Sequence, residues 1–305
     1  MSESNPLVQM LQEKMRQVWP GMPEQDNLSM AQSGAVMGVY RLGPDSLEQE
    51  GVPKGQLVDG SMVSQIYPGS THEYKIYVPA QYTGAPVPYM VFLDGITQYL
   101  SPMVNANVVL DNLIAAGRIP AMIGVFVEPG DKGDGMPIYG GGFVEPGSNR
   151  GKEYDSTDDL FSRFLLEELI PLVAKDYALS EKPEDHALCG ASSAAQAAFS
   201  AAWHRPDQFR KVVSHIGSFT AIRGGDCNPD RIRKNPAKPI RVFLQDGSHD
   251  LNIIYGDWVL ANKTMASALE YRGYDYKYVL GEGGHNLEHG GAILPETLEW
   301  LWRTS

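Results

Sequence analysis

The run Cys189-Gly190-Ala191-Ser192-Ser193-Ala194-Ala195 stands between an apolar, strand-like stretch and an Ala-rich, helix-like one. A serine on such a strand-to-helix turn is lifted clear of the sheet, provided that small residues two before and two after it let the backbone fold back. Gly190 and Ala194 meet that size condition around Ser192, so the pattern reads G-x-S-x-A. Ser193 is the competing nucleophile, but Ala191 and Ala195 would then flank it and no glycine would precede it.

A serine hydroxyl is a poor nucleophile until an imidazole accepts its proton, and that imidazole needs a carboxylate to hold one tautomer. Two downstream segments supply these types. The apolar run Arg241-Val242-Phe243-Leu244 leads into Gln245-Asp246-Gly247-Ser248-His249-Asp250, and the run ending at Leu280 leads into Gly281-Glu282-Gly283-Gly284-His285. The order serine, acid, histidine, each just beyond a strand, is the one an α/β-hydrolase uses. His285 is the expected base, because Gly283-Gly284 permits a close, bent approach; His249 and His289 compete with it. Asp250 is the expected acid, against Asp246, which lies nearer its strand end but in an Asp-Gly pair that reads as a turn.

Acyl transfer also requires donors for a developing oxyanion. The backbone N–H of Ser193 is the first candidate, and the second is the N–H of Gly95 or Ile96, where Asp94-Gly95-Ile96 follows the run Tyr89 to Leu93. Arg150 and Glu153 precede a helical pattern for which Asp155 or Ser156 is the expected cap; the pair either pins its loop or grips substrate. Tyr99, Tyr139, Phe143, Tyr255 and Trp258 are aromatic candidates for a substrate mouth, where flat rings stack on an aryl ester.

Positioning these groups needs a particular scaffold. Short β-type runs at Tyr89 to Leu93, Ala121 to Val127, His186 to Cys189, Lys211 to Ile216, Ile240 to Leu244 and Tyr276 to Leu280 alternate with helical patterns. Such alternation predicts an α/β fold, a mostly parallel central sheet with helices on both faces. Ser61 to Ile66 and Glu73 to Pro79 flank Tyr67-Pro68-Gly69-Ser70 and predict an antiparallel hairpin. Leu7, Met10, Leu11, Met15 and Val18 recur at helical spacing, and residues 21–60 read as an extended arm with short elements. The expected organisation is therefore an N-terminal helix and arm over 1–60 and a catalytic domain over 61–305. The Gly- and Pro-rich stretch from Pro129 to Gly151 reads as a lid or substrate-lining loop.

Composition narrows the partners. Across 305 residues the formal net charge is -12, which disfavours a nucleic acid or an anionic membrane as the principal partner. No apolar stretch reaches membrane-spanning length, and Met1 to Pro20 lacks the pattern of a secretion signal, so the chain is expected to be cytoplasmic, or secreted with its signal peptide absent from this sequence. Two cysteines, Cys189 and Cys227, suit neither a disulfide framework nor a metal cluster. A small-molecule ester is the expected partner and neither metal nor cofactor is called for; the N-terminal helix is a candidate homodimer contact.

Six segments together carry a family likeness: Leu93-Asp94-Gly95, Asn149-Arg150-Gly151-Lys152-Glu153-Tyr154-Asp155, Gly190-Ala191-Ser192-Ser193, Ser214-His215-Ile216-Gly217-Ser218-Phe219, Gln245-Asp246-Gly247 and Gly283-Gly284-His285-Asn286. They resemble the esterase family of α/β-hydrolases that includes enterochelin, feruloyl and acetylxylan esterases, esterase D and mycolyltransferases. The resemblance implies a nucleophile at Ser192, an acid at Asp250 and a base at His285; from the residues themselves, Asp94, Tyr139, Phe143, Arg150, Glu153 and Trp258 are the expected substrate-binding residues. The expected activity is hydrolysis of carboxylic esters through an acyl-enzyme, on aryl (feruloyl-type) esters ahead of siderophore esters. Acyl transfer on the same triad and a non-catalytic binding protein are the alternatives. Relatives carry Gly-Gly where this chain has Ala194-Ala195.

Overall fold

In the computed structural model, residues 5–132, 136–137, 143–144 and 147–304 are described. Eight strands make one sheet: β1 (Gln56–Val63), β2 (Thr71–Val78), β3 (Tyr89–Leu93), β4 (Ile123–Val127), β5 (His186–Ala191), β6 (Lys211–His215), β7 (Arg241–Gly247) and β8 (Tyr276–Gly281). Their spatial order is β1-β2-β4-β3-β5-β6-β7-β8. The pairs β1–β2 and β2–β4 are antiparallel and all the others parallel. This is the α/β-hydrolase arrangement.

The central strands are apolar throughout because both faces of the sheet are covered. In β3, Val91 and Leu93 point into one core while Met90 and Phe92 point into the other. The longer helices are α1 (Pro6–Val18), α2 (Glu24–Gly34), α3 (Ala106–Ala115), α4 (Ser193–His204), α5 (Trp258–Tyr271) and α6 (Leu294–Trp302). The first core takes Phe161, Phe164 and Leu165, Ala197 and Ala198 of α4, and Met265 and Leu269 of α5. Leu110 and Leu113 of α3 and Leu298 and Leu301 of α6 close the second.

Four details depart from expectation, each for a local reason. The hairpin strand ends at Val63, because Glu168 captures the N–H groups of Gln65 and Ile66 at 2.8 and 3.0 Å. Asp155 does not cap the following helix: it is buried at the end of the short helix Arg150–Tyr154, and the next helix begins at Leu160, whose N–H donates to Asp158 at 3.0 Å. Strand β6 stops before Ile216, which adopts φ 45°, a left-handed conformation that a β-branched side chain rarely takes. Finally, the arm expected to carry only short elements contains α2, a helix of 11 residues. That helix buries Asp26, Asn27, Ser29 and Ser33 with Ala31, so its inward stripe is mostly polar and leaves no apolar period in the sequence.

Parallel strands deliver their following loops to one edge of the sheet. Asp94 follows β3, Glu128 follows β4, Ser192 follows β5, Ile216 follows β6, Asp250 follows β7 and His285 follows β8. The topology thus gathers at one rim six residues spread over almost two hundred positions.

Candidate active site

Ser192 is the single residue between β5 and α4, with φ 59° and ψ -124°. A non-glycine residue held there costs on the order of 1–3 kcal/mol, which the surrounding packing must offset. Gly190 makes the fold-back possible: a Cβ at that position would lie 2.3 Å from the carbonyl carbon and oxygen of Ala194. The methyl of Ala194 is itself buried in the first core, beside Ala197 and Ala198.

The Ser192 hydroxyl lies 2.9 Å from Nε2 of His285, and Nδ1 of His285 lies 2.6 Å from Oδ1 of Asp250. A third group joins them: the Ser218 hydroxyl is 3.0 Å from that of Ser192 and accepts the indole N–H of Trp258 at 3.2 Å. Donor and acceptor chemistry then orders the whole chain. An indole nitrogen only donates and an ionised carboxylate only accepts. With Trp258 donating to Ser218 and His285 donating to Asp250, the Ser218 hydroxyl donates to Ser192, and Ser192 donates to His285. The competing histidines stand elsewhere: His249 bonds the Ser248 hydroxyl at 3.1 Å on the surface, and His289 is stacked under Tyr40 with ring centroids 4.2 Å apart.

Behind Asp250 lies Asp246, fully buried, with no donor bonded to either of its oxygens among the described residues. Burial, and then the neighbouring Asp250 carboxylate, push Asp246 well above the ordinary carboxylate range. It therefore keeps its proton and can offer it to Oδ2 of Asp250, which is otherwise unpartnered. Only Asp250 of the two aspartates bonds the imidazole.

In front of Ser192 a cavity of about 720 Å³ opens, lined by Asp94, Glu128, Asp131 and Arg150 among others, with Ala191, Ile216 and Leu287 as its apolar wall. Arg150 reaches Asp94 through two nitrogens, at 3.0 and 2.7 Å from Oδ2. Glu128 accepts the N–H groups of Ile96 and Thr97 at 2.8 and 2.9 Å. Burial pushes Glu128 upward, and its bond from Thr97 opposes the shift.

Several expected site residues lie otherwise than the sequence suggested. The Ile96 N–H, one of the expected oxyanion donors, is already bonded to Glu128. Ser193 stands at the first position of α4, where an N–H has no intrahelical partner. Glu153 is fully buried and does not pair with Arg150; it accepts Nε2 of His72 at 3.0 Å, Nδ2 of Asn149 at 2.8 Å and the Gly130 N–H at 3.2 Å, so it pins the loop from beneath. Trp258 is buried behind Ser218, edge-on to His285 at 5.8 Å, and Tyr99 is buried against Nδ1 of His215 at 2.9 Å. Neither ring lines the cavity. Tyr139 lies outside the described residues, as does the side chain of Phe143, and with them part of the expected lid. Among the described residues no His, Cys, Asp and Glu cluster is placed to hold a metal ion, no helix is long and apolar enough to cross a membrane, and both cysteines are free thiols.

A family model described as "Putative esterase" matches residues 67–300. The chain belongs to this family. It is an esterase by class, and solved structures agree on the fold. A ferric enterobactin esterase from Salmonella typhimurium superposes with a TM-score of 0.67 at 19% identity, covering 86% of this chain and 61% of that one. The enterobactin esterase of Shigella flexneri, solved in the presence of enterobactin, gives 0.66 at 19% identity over 82% of this chain and 60% of that one. A ferulic acid esterase from Anaeromyces mucronatus, in complex with ferulic acid, gives 0.62 at 17% identity over 86% and 96%.

Two properties of this esterase follow from the packing around Ser192. Replacing Ala194 by Gly removes a buried methyl and adds helix entropy cost, so Ala194→Gly is expected to lower stability by about 1 kcal/mol or more while the turn, and with it ester turnover, persists; thermal unfolding and a turnover assay check both halves. Asp246 has its folded-state proton affinity raised, so its contribution to stability is full below the unfolded-state pKa of about 3.9 and is lost as pH rises toward its folded value. Asp246→Asn is always neutral and removes that loss. The Tm of the variant relative to the parent is expected to climb from pH 5 to pH 9, and a constant difference would contradict a protonated Asp246.

Proposed function

We propose that this protein is a serine esterase in which Ser192 attacks the ester carbonyl, His285 takes the serine proton and Asp250 holds the imidazole in the receiving tautomer. The observation that carries the reading is the unbroken hydrogen-bond chain from Asp250 through His285 to Ser192. Attack forms a tetrahedral intermediate whose oxyanion is received by the N–H groups of Ser193 and Gly95. Its collapse expels the alcohol, which takes the proton from His285, and leaves the acyl group on Ser192. Water then repeats the sequence with the same imidazole as base. Ser218, donating to the Ser192 oxygen, stabilises negative charge as the proton leaves.

The cavity supports an uncharged ester of the feruloyl type over a siderophore complex. Its lining carries three carboxylates, Asp94, Glu128 and Asp131, against one guanidinium, and Arg150 is already committed to Asp94. A ferric tris-catecholate is polyanionic and meets repulsion there, whereas a hydroxycinnamate ester meets none. The aromatic stacking expected from the sequence has no support from Tyr99 or Trp258, so electrostatics carries the preference.

Three outcomes are expected. Ser192→Ala should lose at least about a thousandfold in kcat on whichever ester the parent turns over best. In a panel of neutral hydroxycinnamoyl and acetyl esters against a ferric catecholate ester, the neutral esters should have the higher kcat/KM, and turnover of the anionic one should rise with added salt as repulsion is screened; a faster siderophore ester at low salt would overturn the substrate reading. Ser218→Ala removes a bond to a developing charge, about 1.5–3 kcal/mol, and is expected to lower kcat roughly ten- to a hundredfold with little change in KM.

A further inference from the structure

Helix α2 lies outside the segment that the family model matches, yet its inward face touches the loops of both groups that serve Ser192. Ser33 accepts the backbone N–H of His285 itself on its hydroxyl, at 2.7 Å. One turn earlier Ser29 accepts the Asn252 N–H at 2.8 Å, and Asp26 accepts the Ile254 N–H at 3.0 Å, both just beyond Asp250. The chain leaving α2 continues along the histidine loop. Asn286 donates to the Val36 carbonyl at 3.0 Å, and Glu288 accepts the N–H groups of Gly38 and Val39 at 2.7 and 3.1 Å. Contact is close enough to dictate sequence: a Cβ on Gly284 would lie 2.0 Å from the Ser33 carbonyl oxygen.

A helix that buries Asp26, Asn27, Ser29 and Ser33 gains little from the hydrophobic effect. Buried polar groups persist where they are bonded, and three of these are spent on backbone donors that the two catalytic loops leave open. Loops that carry a base and its orienting acid move relative to one another unless something common holds them, and a misplacement of about 1 Å costs on the order of a hundredfold in rate. The sheet fixes where β7 and β8 end. Beyond them the Ser248 and His249 N–H groups bond the Gly281 and Gly283 carbonyls at 2.7 and 2.8 Å, which ties the loops together short of Asp250 and His285 themselves.

We infer that α2 is a clamp that sets the position of His285 relative to Asp250, with Ser33 as its principal positioning residue. This rests on the triad reading above, since a clamp on a silent histidine would leave turnover unchanged. Ser33 touches no substrate; it acts through the backbone of the base.

The test is steady-state kinetics of full-length Ser33→Ala, Ser33→Thr and Ser29→Ala on a neutral ester, with the downfield proton resonance of the His285–Asp250 bond as a second readout. Ser33→Ala is expected to lose at least about tenfold in kcat with KM unchanged and to broaden or lose that resonance. Ser33→Thr, which keeps the hydroxyl, should restore most of both; Ser29→Ala should fall between. Native-state hydrogen exchange on the unmodified protein adds an arm that needs no variant: the His285 amide should be protected well beyond the neighbouring exposed loop. Unchanged kcat in folded Ser33→Ala, or an unprotected His285 amide, overturns the clamp. Failure of Ser192→Ala to lose activity would instead overturn the triad reading, so the two failures are distinguishable.

Discussion

The active-site arrangement depends on a hydrogen-bond chain whose two ends can act in only one direction. Trp258 can only donate and the Asp250 carboxylate can only accept, so with a neutral imidazole Ser218, Ser192 and His285 between them are left with one consistent orientation. That orientation puts the lone pair of His285 Nε2 at the serine proton and a second hydroxyl at the serine oxygen. Direction is fixed before any substrate arrives, which is the preorganisation that acyl transfer needs.

Keeping one end as a carboxylate in a buried place is the costly part of the arrangement. Two buried aspartates side by side cannot both ionise. Both side chains are fully buried, but the imidazole and the Leu251 N–H bond Asp250 at 2.6 Å each while no donor among the described residues bonds Asp246, so the proton resides on Asp246. The same economy recurs across the rim: Glu153 is buried under the loop with three donors around it, and Glu128 is held by the Ile96 and Thr97 backbone. Acidic groups outnumber basic ones around the cavity, in keeping with the net negative charge of the chain.

The fold was legible because doubly covered strands must be apolar, and the spacing of those runs already placed Ser192, Asp250 and His285 beyond three strand ends. Other features had no one-dimensional signal. Helix α2 buries serines and acids where a pattern search looks for leucines, so the sequence read it as an arm. The Ile96 N–H looked free because the carboxylate that occupies it comes from the end of another strand, and nothing local to Glu128 marks that role. Trp258 read as a mouth residue, since composition cannot say whether a ring at a helix start faces the cavity or lies behind Ser218. Ser218 stood within a segment quoted only for its family likeness; its position just past β6, beside the Ser192 loop, was the available clue.

The central claim, that Ser192 is the nucleophile at the end of this oriented chain, is tested most directly by treating the protein with a fluorophosphonate and mapping the adduct by peptide mass spectrometry. Stoichiometric modification at Ser192, absent from Ser193 and Ser218 and abolished by His285→Ala, is the result the structure requires. No adduct, or an adduct on another serine, would contradict it.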